Sequence, residues 1–527
     1  MYPWLPAATE NSTVIVTASR RLARDLHHEH TRQQIENGNE TWRTAPIHFR
    51  GDWLNQLIES ADLRRPWPVR IDQNASVILW ERCLARHTPD PLLSLANAVR
   101  LCRQTWQRLH EHTVPLEEVS RSARSTDQQQ FARAARSYSE TLRSNNWIDT
   151  AMLPAVVAEA LESRTILAPA KVLFTGFDRL SPAMERIIGT LRKQDCKVEV
   201  ADVVDRNERL ISRTFRDRQQ ELRAAGHWVR QFLRKSPHAK LAIICPDLQA
   251  DAAAAARLVR EGLAPGWQYA NEASRNAVDV SYGQRLCDFP AISVALLLLR
   301  WLQQGLSSRD ISVLLRSPFI VSESVSGRSR CELELRHWPD RKWTPASLAS
   351  LLGGRDDADD TRRWFAAMEQ IVAFTEKHRG DASPALWAER FDRLLTALGW
   401  PGEPVLDSAG HQLLNRWRTM LSEFAATGLV TPRRSMTAAI DRVCSMASDV
   451  IFQPQLEGGI VQLLGALEAS GLSFDAAWVC GMDSTRWPPP PNPLALVSRA
   501  LQEKYSMPDA TPHDSFEFAE LVLGRIR

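Results

Sequence analysis

The 527 residues carry 65 Lys and Arg against 62 Asp and Glu, a formal charge of +3, with 44% hydrophobic and 24% charged residues. Such a globular, soluble chain is long enough for three or four domain-sized cores, and its near-neutral balance supplies no global field toward nucleic acid, so any basic surface must be local. The eight cysteines lie far apart without a Cys-x-x-Cys pair, which leaves zinc ribbons and thioredoxin-type motifs unsupported and reads as reduced core residues.

The start, MYPWLPAATENST, has no basic region followed by an apolar run, so no secretory signal is expected. The first strand signal is Val14–Thr17, and the helix RRLARDLHHEH follows it directly. A mainly helical block is expected from 70 to 165, after which strands are predicted at Lys171–Thr175 and Lys197–Val200. A second α/β zone opens near RTFRDRQQELRAAGHWVRQFL, with strands predicted at Leu241–Cys245 and Ala476–Cys480. Between its halves lies a helical insertion, 296–450, and the longest apolar run, AISVALLLLRWL, is broken by Arg300 and too short to span a bilayer. The expected location is the cytoplasm, without membrane association. Continuous apolar strands each followed by a helix predict an α/β fold with parallel strands covered on both faces.

Phosphate chemistry of the P-loop kind needs a glycine-rich backbone cradle, a Lys for the β and γ groups and a hydroxyl on magnesium. The chain has no Gly-Lys dipeptide, and its first Lys is Lys171, so the turn TASRRLAR after the first strand lacks both glycines and amine. ATP hydrolysis is not expected, and neither a cofactor nor a metal is assigned. Arg20, Arg21 and Arg24, at the start of that helix behind Ser19, are the DNA-phosphate contact candidates, with a capped helix bearing solvated arginines as the alternative. In KVLFTGFDRLSP a lone Asp178 stands where paired carboxylates would hold magnesium and align water, and it reads as a cap or turn residue.

Two Asp-x-Lys triplets occur, Asp195-Cys-Lys197 and Asp340-Arg-Lys342. The first enters a strand without a partner carboxylate ahead of it, and the second is expected within a helical region, so neither reads as a nuclease site. Gly-x-Ser-x-Gly, His-Glu-x-x-His and Gly-x-Gly-x-x-Gly are absent. The 18 Trp could stack on unpaired bases, but most lie at helical spacing beside Leu and are expected in the core.

The stretch GLSFDAAWVCGMDSTRWPPPP, 471–491, reads as a buried strand between two glycine turns. Its wording resembles the late motif of superfamily 1 helicases of the UvrD and RecB type. Gly471, Leu472, Phe474, Gly481, Met482, Asp483, Trp487 and Pro488 fit that motif, whereas Leu467, Ser470 and Ser473 stand where His, Lys and Glu would be. Together with TASRRLAR, VLFTGFDRLSP, LAIICPDL and VSYGQRLCDFPAISVALLLL, it is similar to the AddB-like DNA repair proteins, an inactivated superfamily 1 helicase core followed by a PD-(D/E)XK nuclease domain.

The resemblance implies two RecA-like parallel-sheet domains, each interrupted by a mainly helical insertion: 1A at 1–69 and 166–205, 1B at 70–165, 2A at 206–295 and 451–527, and 2B at 296–450. It implies a DNA-binding, helicase-like scaffold in double-strand break processing, without its own ATP hydrolysis. The implied partners are DNA, single-stranded or as an end-containing duplex, and a helicase or nuclease subunit. The chain stops at FEFAELVLGRIR, so the nuclease domain of the resemblance is expected beyond residue 527, and the alternative functions are the N-terminal part of an active exonuclease or a non-catalytic protein-interaction scaffold.

Overall fold

Short β-branched and apolar runs ended by turns form two four-stranded sheets in the computed structural model. It describes residues 2–10, 13–60, 67–87, 94–201, 210–269, 277–320, 325–338, 341–352, 358–402, 407–454 and 461–526. The first sheet contains β1 (Val14–Thr17), β2 (Ile47–Phe49), β3 (Lys171–Thr175) and β4 (Lys197–Ala201), in the order β2-β1-β3-β4. The second contains β5 (Leu241–Ile244), β6 (Val278–Val280), β7 (Val461–Leu464) and β8 (Ala476–Val479), in the order β8-β5-β7-β6. Every pairing in both sheets is parallel, as expected for strands joined by helical crossovers.

The period of two along each strand decides which core each side chain joins. On the first sheet, Val16, Val172 and Phe174 face the helices Arg50–Glu59, Leu153–Glu162 and Pro182–Lys193, packing with Trp53, Leu161 and Ile187. On the second, Leu241, Ile243, Val461 and Leu463 pack with Leu222 and Val229 of the helix Arg218–Lys235 and with Ala255 and Val259 of the helix Leu248–Leu263. Those two helices cross at Gly226 and Gly262, where an added Cβ would lie 2.1 Å from the Val259 carbonyl oxygen and 2.0 Å from that of Arg223. The opposite faces of the two sheets meet in a single cluster, in which Ile15, Ile47 and Leu173 join Ala242, Ile244 and Leu464. Leu5, Leu22, Leu26 and Val522 complete it, so an N-terminal helix (Leu5–Glu10), the helix Arg20–Glu36 and a C-terminal helix (Pro512–Ile526) supply apolar residues to both sheets.

The chain divides into two compact units, Met1–Tyr282 with Leu456–Arg527, and Gly283–Gln455. Both sheets and the helical block expected at 70–165 belong to the first. That block is centred on Trp80, whose ring lies 4.4 Å from Tyr138 and 5.9 Å from Trp106, centroid to centroid. The second unit contains the expected 296–450 insertion and is helical around one core. Its first and last strands, Gln284–Arg285 and Ile451–Phe452, pair antiparallel, so the chain enters and leaves this unit side by side. Trp301, Trp343, Trp364, Trp387, Trp400 and Trp417 are buried in its core. Trp301 Nε1 donates to the Trp343 carbonyl at 2.8 Å and Trp400 Nε1 to that of Ala291 at 2.8 Å. The indole N–H groups of Trp343 and Trp387 also find partners, whereas those of Trp364 and Trp417 are buried without a hydrogen-bond partner among the described residues.

Two readings from sequence need correction. The strand Ala476–Val479 is an edge strand that, among the described residues, pairs with β5 alone, and it is partly exposed rather than buried; the indole of Trp478 is covered by Phe215 and Trp228. Lys342 is exposed within the helical region, as expected, in a two-residue strand, Lys342–Trp343, paired antiparallel with Leu306–Ser307; Asp340 of that triplet lies outside the described residues. β2, β6 and β7 carried no strand prediction: the first two have three residues each, too few for a periodic signal. No described helix is long and apolar enough to cross a membrane.

Candidate functional site

The turn leaving β1 is closed by its own side chains. Ser19 is extended and caps the helix Arg20–Glu36, its Oγ accepting the Leu22 N–H at 3.1 Å. Thr17 Oγ1 donates to the Ser19 carbonyl at 2.8 Å, and the Ala18 N–H donates to the Thr175 carbonyl at 3.1 Å. Leu22 then lies across the turn after β3, where Gly176 has φ +76° and an added Cβ would meet Leu22 Cδ2 at 2.4 Å. Gly471 approaches from the second sheet: a Cβ there would stand 3.1 Å from Gly176 Cα and 3.3 Å from Leu22 Cδ2. Two backbone turns and a leucine thus fill the space in front of β1, and Leu22 is fully buried.

Around this apolar contact, polar bonds tie the two sheets together. Arg21 Nη2 donates to Asp279 Oδ2 of β6 at 2.6 Å, both side chains being largely covered. Lys240, at the start of β5, pairs with Asp25, whose other oxygen accepts the Tyr2 hydroxyl at 2.7 Å. The Tyr2 hydroxyl also lies 3.3 Å from the Gly471 carbonyl. Burial first, and then the charge of Asp25, push the Tyr2 phenol far above its ordinary range, so it stays a donor. Ser470 Oγ donates to Asp178 Oδ1 at 2.7 Å, and Arg525 Nη1 reaches the same oxygen at 3.3 Å.

These positions account for every site residue read from sequence. Arg20 donates to Asp52 at 2.7 Å and lies 4.9 Å from the Phe49 ring centroid, while Arg21 is held by Asp279. Arg24 is exposed and, among the described residues, makes no ion pair. Ser470 and Gly471 are brought into the seam, and Phe474 lies beside it under the Lys240 ammonium, 5.6 Å from the ring centroid. Gly481 and Asp483 are elsewhere. Gly481 has φ +69° and donates its N–H to Glu221 Oε1 at 3.0 Å. Asp483 is exposed and accepts the Thr485 N–H at 3.0 Å and the Thr485 hydroxyl, bonds that hold its carboxyl below the usual range. Asp178 lies in the bend after β3, a turn residue rather than the helix cap: Ser181 caps the helix Pro182–Lys193, and the Asp178 carboxylate turns to Ser470 and Arg525.

Tyr2, Asp25, Lys240, Asp279 and Arg525 are seam residues that sequence reasoning missed, being brought together from separations of up to several hundred positions. Lys240 had a usable signal, as one of 8 Lys in the chain placed directly before a buried strand; the others had none. Among the described residues, no group of three or more His, Cys, Asp or Glu is arranged to hold a metal ion. The arrangement is a closed, largely apolar joint bordered by internally matched charges, and its chemistry is that of holding two sheets together. No protein-family model matches this chain, and no curated protein matches it.

Proposed function

We propose that this chain is a DNA-binding, helicase-like scaffold acting in double-strand break processing, built on two RecA-like domains and lacking ATP hydrolysis of its own. The observation that carries the reading is the filled seam: Leu22, Gly176 and Gly471 meet where the resemblance would put the triphosphate, and Ser470 replaces the motif's Lys. A motor needs a phosphate cradle and two sheets that shift against each other on each turnover. Here the turn is capped by its own side chains and the sheets share one apolar cluster, which favours a body that guides DNA over one that consumes fuel. ATP use and strand cleavage would then belong to a partner helicase or nuclease subunit, or to a nuclease domain of the kind the resemblance implies.

The test is direct. The purified chain, with and without single-stranded DNA, is expected to show no magnesium-dependent ATP turnover and to bind single-stranded DNA with an affinity that falls as salt rises, because phosphate contacts release counterions. Stimulated turnover would remove the scaffold reading, and absent or salt-insensitive binding would remove the DNA role.

A further inference from the structure

Away from the seam, the second sheet brings two cysteines together. Cys245 follows β5 and Cys480 follows β8, and the ladder runs on past both strands: the Cys480 N–H donates to the Ile244 carbonyl at 2.8 Å, as the Cys245 N–H does to that of Leu464. The register that pairs Ala476 with Leu241 and Trp478 with Ile243 therefore sets Cys480 beside Cys245. Ala476, Trp478 and Cys480 join the same core cluster as Leu241, Ile243 and Cys245, so both thiols lie on one face of the sheet. Adjacent strands stand about 4.8 Å apart, inside the range of about 4.4–6.8 Å that a disulfide spans between Cα atoms. Both cysteines are free and buried. The Cys480 thiol donates to the Cys245 sulfur, and this bond first, then burial, hold it well above the ordinary thiol range; the Glu221 carboxylate adds to the shift and the Arg218 guanidinium opposes it. In the closed sheet Cys480 thus stays a protonated, unreactive thiol.

We propose that Cys245 and Cys480 form a reversible disulfide, a redox latch that fastens the edge strand β8 to β5, with hydrogen peroxide as the oxidant. Among the described residues β8 is held through β5 alone, and Met482, two residues past Cys480, is exposed. Cys480 is therefore uncovered when this end of the strand opens, a local excursion that costs less than global unfolding. In water its thiolate attacks the peroxide: one oxygen bonds to sulfur as a sulfenic acid and the other leaves as water. When the strand closes, the Cys245 thiol attacks that sulfur, the S–O bond breaks, and the hydroxyl leaves with the thiol proton as a second water. Two electrons pass from the sulfur pair to the peroxide, and a dithiol returns them by exchange. The bridge encloses the whole second unit, Gly283–Gln455, in one covalent ring. It also holds the turn behind Cys480, whose Gly481 N–H is bonded to Glu221 at 3.0 Å.

The full chain, reduced and freed of reductant, is exposed to hydrogen peroxide under native conditions, and its thiols are counted after denaturation. The count is expected to fall by two from the eight of the reduced chain, with peptide mapping finding Cys245 joined to Cys480 and dithiothreitol undoing the link. Urea below the unfolding transition should speed the reaction severalfold, because opening of the edge limits it. The linked chain should melt a few degrees higher than the reduced one, since closing a long loop constrains the unfolded chain. In Cys245→Ala the link is lost and the Cys480 sulfenic acid, left without its attacking thiol, accumulates and is trapped by dimedone. Eight thiols persisting after peroxide, a link between the partly exposed Cys287 and Cys444 in place of this one, or a link that forms only in the unfolded chain overturns the inference. An unchanged melting temperature in the linked chain shows that the strand is not fastened and overturns the latch.

Discussion

Gly176 shows how one missing side chain fixes a joint. Its φ of +76° is a conformation that L side chains rarely adopt, and its missing Cβ is the space that Leu22 Cδ2 occupies. Gly176→Ala is expected to destabilise the first unit by about 1–3 kcal/mol through combined strain and overpacking. Leu22→Ala, which removes a fully buried side chain, should cost about 2–5 kcal/mol. Because the two side chains compete for one space, the double variant should cost less than the sum of the two, which a denaturant-based double-mutant cycle reads directly. Strict additivity would mean that the contact does not set the turn.

His112 works at the same scale with a proton. It is buried at the end of the helix Leu95–Glu111, and its Nδ1 lies 3.1 Å from the Tyr505 carbonyl. Burial lowers its pKa, and the bond to Tyr505 opposes that only in part. A histidine whose folded pKa lies below its unfolded value near 6.5 favours the folded state when neutral. Its contribution is therefore present above the unfolded value and is lost as pH falls through the lower folded one. Thermal melts should show stability falling from pH 7.5 to pH 5, and His112→Asn, which keeps a donor near the Nδ1 position without a titrating ring, should flatten part of that slope. An unchanged slope in the variant would assign it to other groups.

Among elements, the pair of helices Arg218–Lys235 and Leu248–Leu263 gives the sharpest expectation. Glycines at 226 and 262 let the backbones approach until each would-be Cβ falls within about 2 Å of a carbonyl oxygen. Such contacts cannot be relieved by rotating a side chain, so Gly226→Ala and Gly262→Ala must push the helices apart and disturb the cluster of Leu222, Val229 and Val259 beneath them. Each is expected to cost about 2–3 kcal/mol, at the upper end of overpacking losses, even though alanine is the better helix former. Chemical denaturation of the two variants checks this, and a gain in stability would show that the helices can separate freely.

For the first unit as a whole, the deciding feature is that its two sheets have one apolar cluster in common, reinforced by Arg21–Asp279 and Lys240–Asp25. A protease site inserted between Ala201 and Leu210 should, after cleavage, leave two fragments that copurify without denaturant. Separation of the fragments under native conditions would show that the sheets are held only by the chain between them. The two ion pairs alone would not suffice, since partly exposed pairs contribute about 0–1 kcal/mol each. The shared burial of Ile15, Leu173, Ala242, Ile244 and Leu464 is the larger contribution.

What the sequence determined by itself was local. β1, β3, β4, β5 and β8 were legible because a run of apolar residues ended by a turn signals a strand whatever surrounds it, and the helical stretches were legible from their spacing. The missing Gly-Lys and the serine at position 470 were equally plain, because absent chemistry needs no fold to be seen. Tertiary structure alone decided that β8 lies at an edge, that Asp178 faces Ser470 and Arg525, and that Arg21 is neutralised by Asp279. The reason is physical: side-chain periodicity records which way a residue faces within its own element, whereas a charge's partner is set by where distant elements pack. Residues 21 and 279, or 178 and 470, become neighbours only when the two sheets close over Leu22.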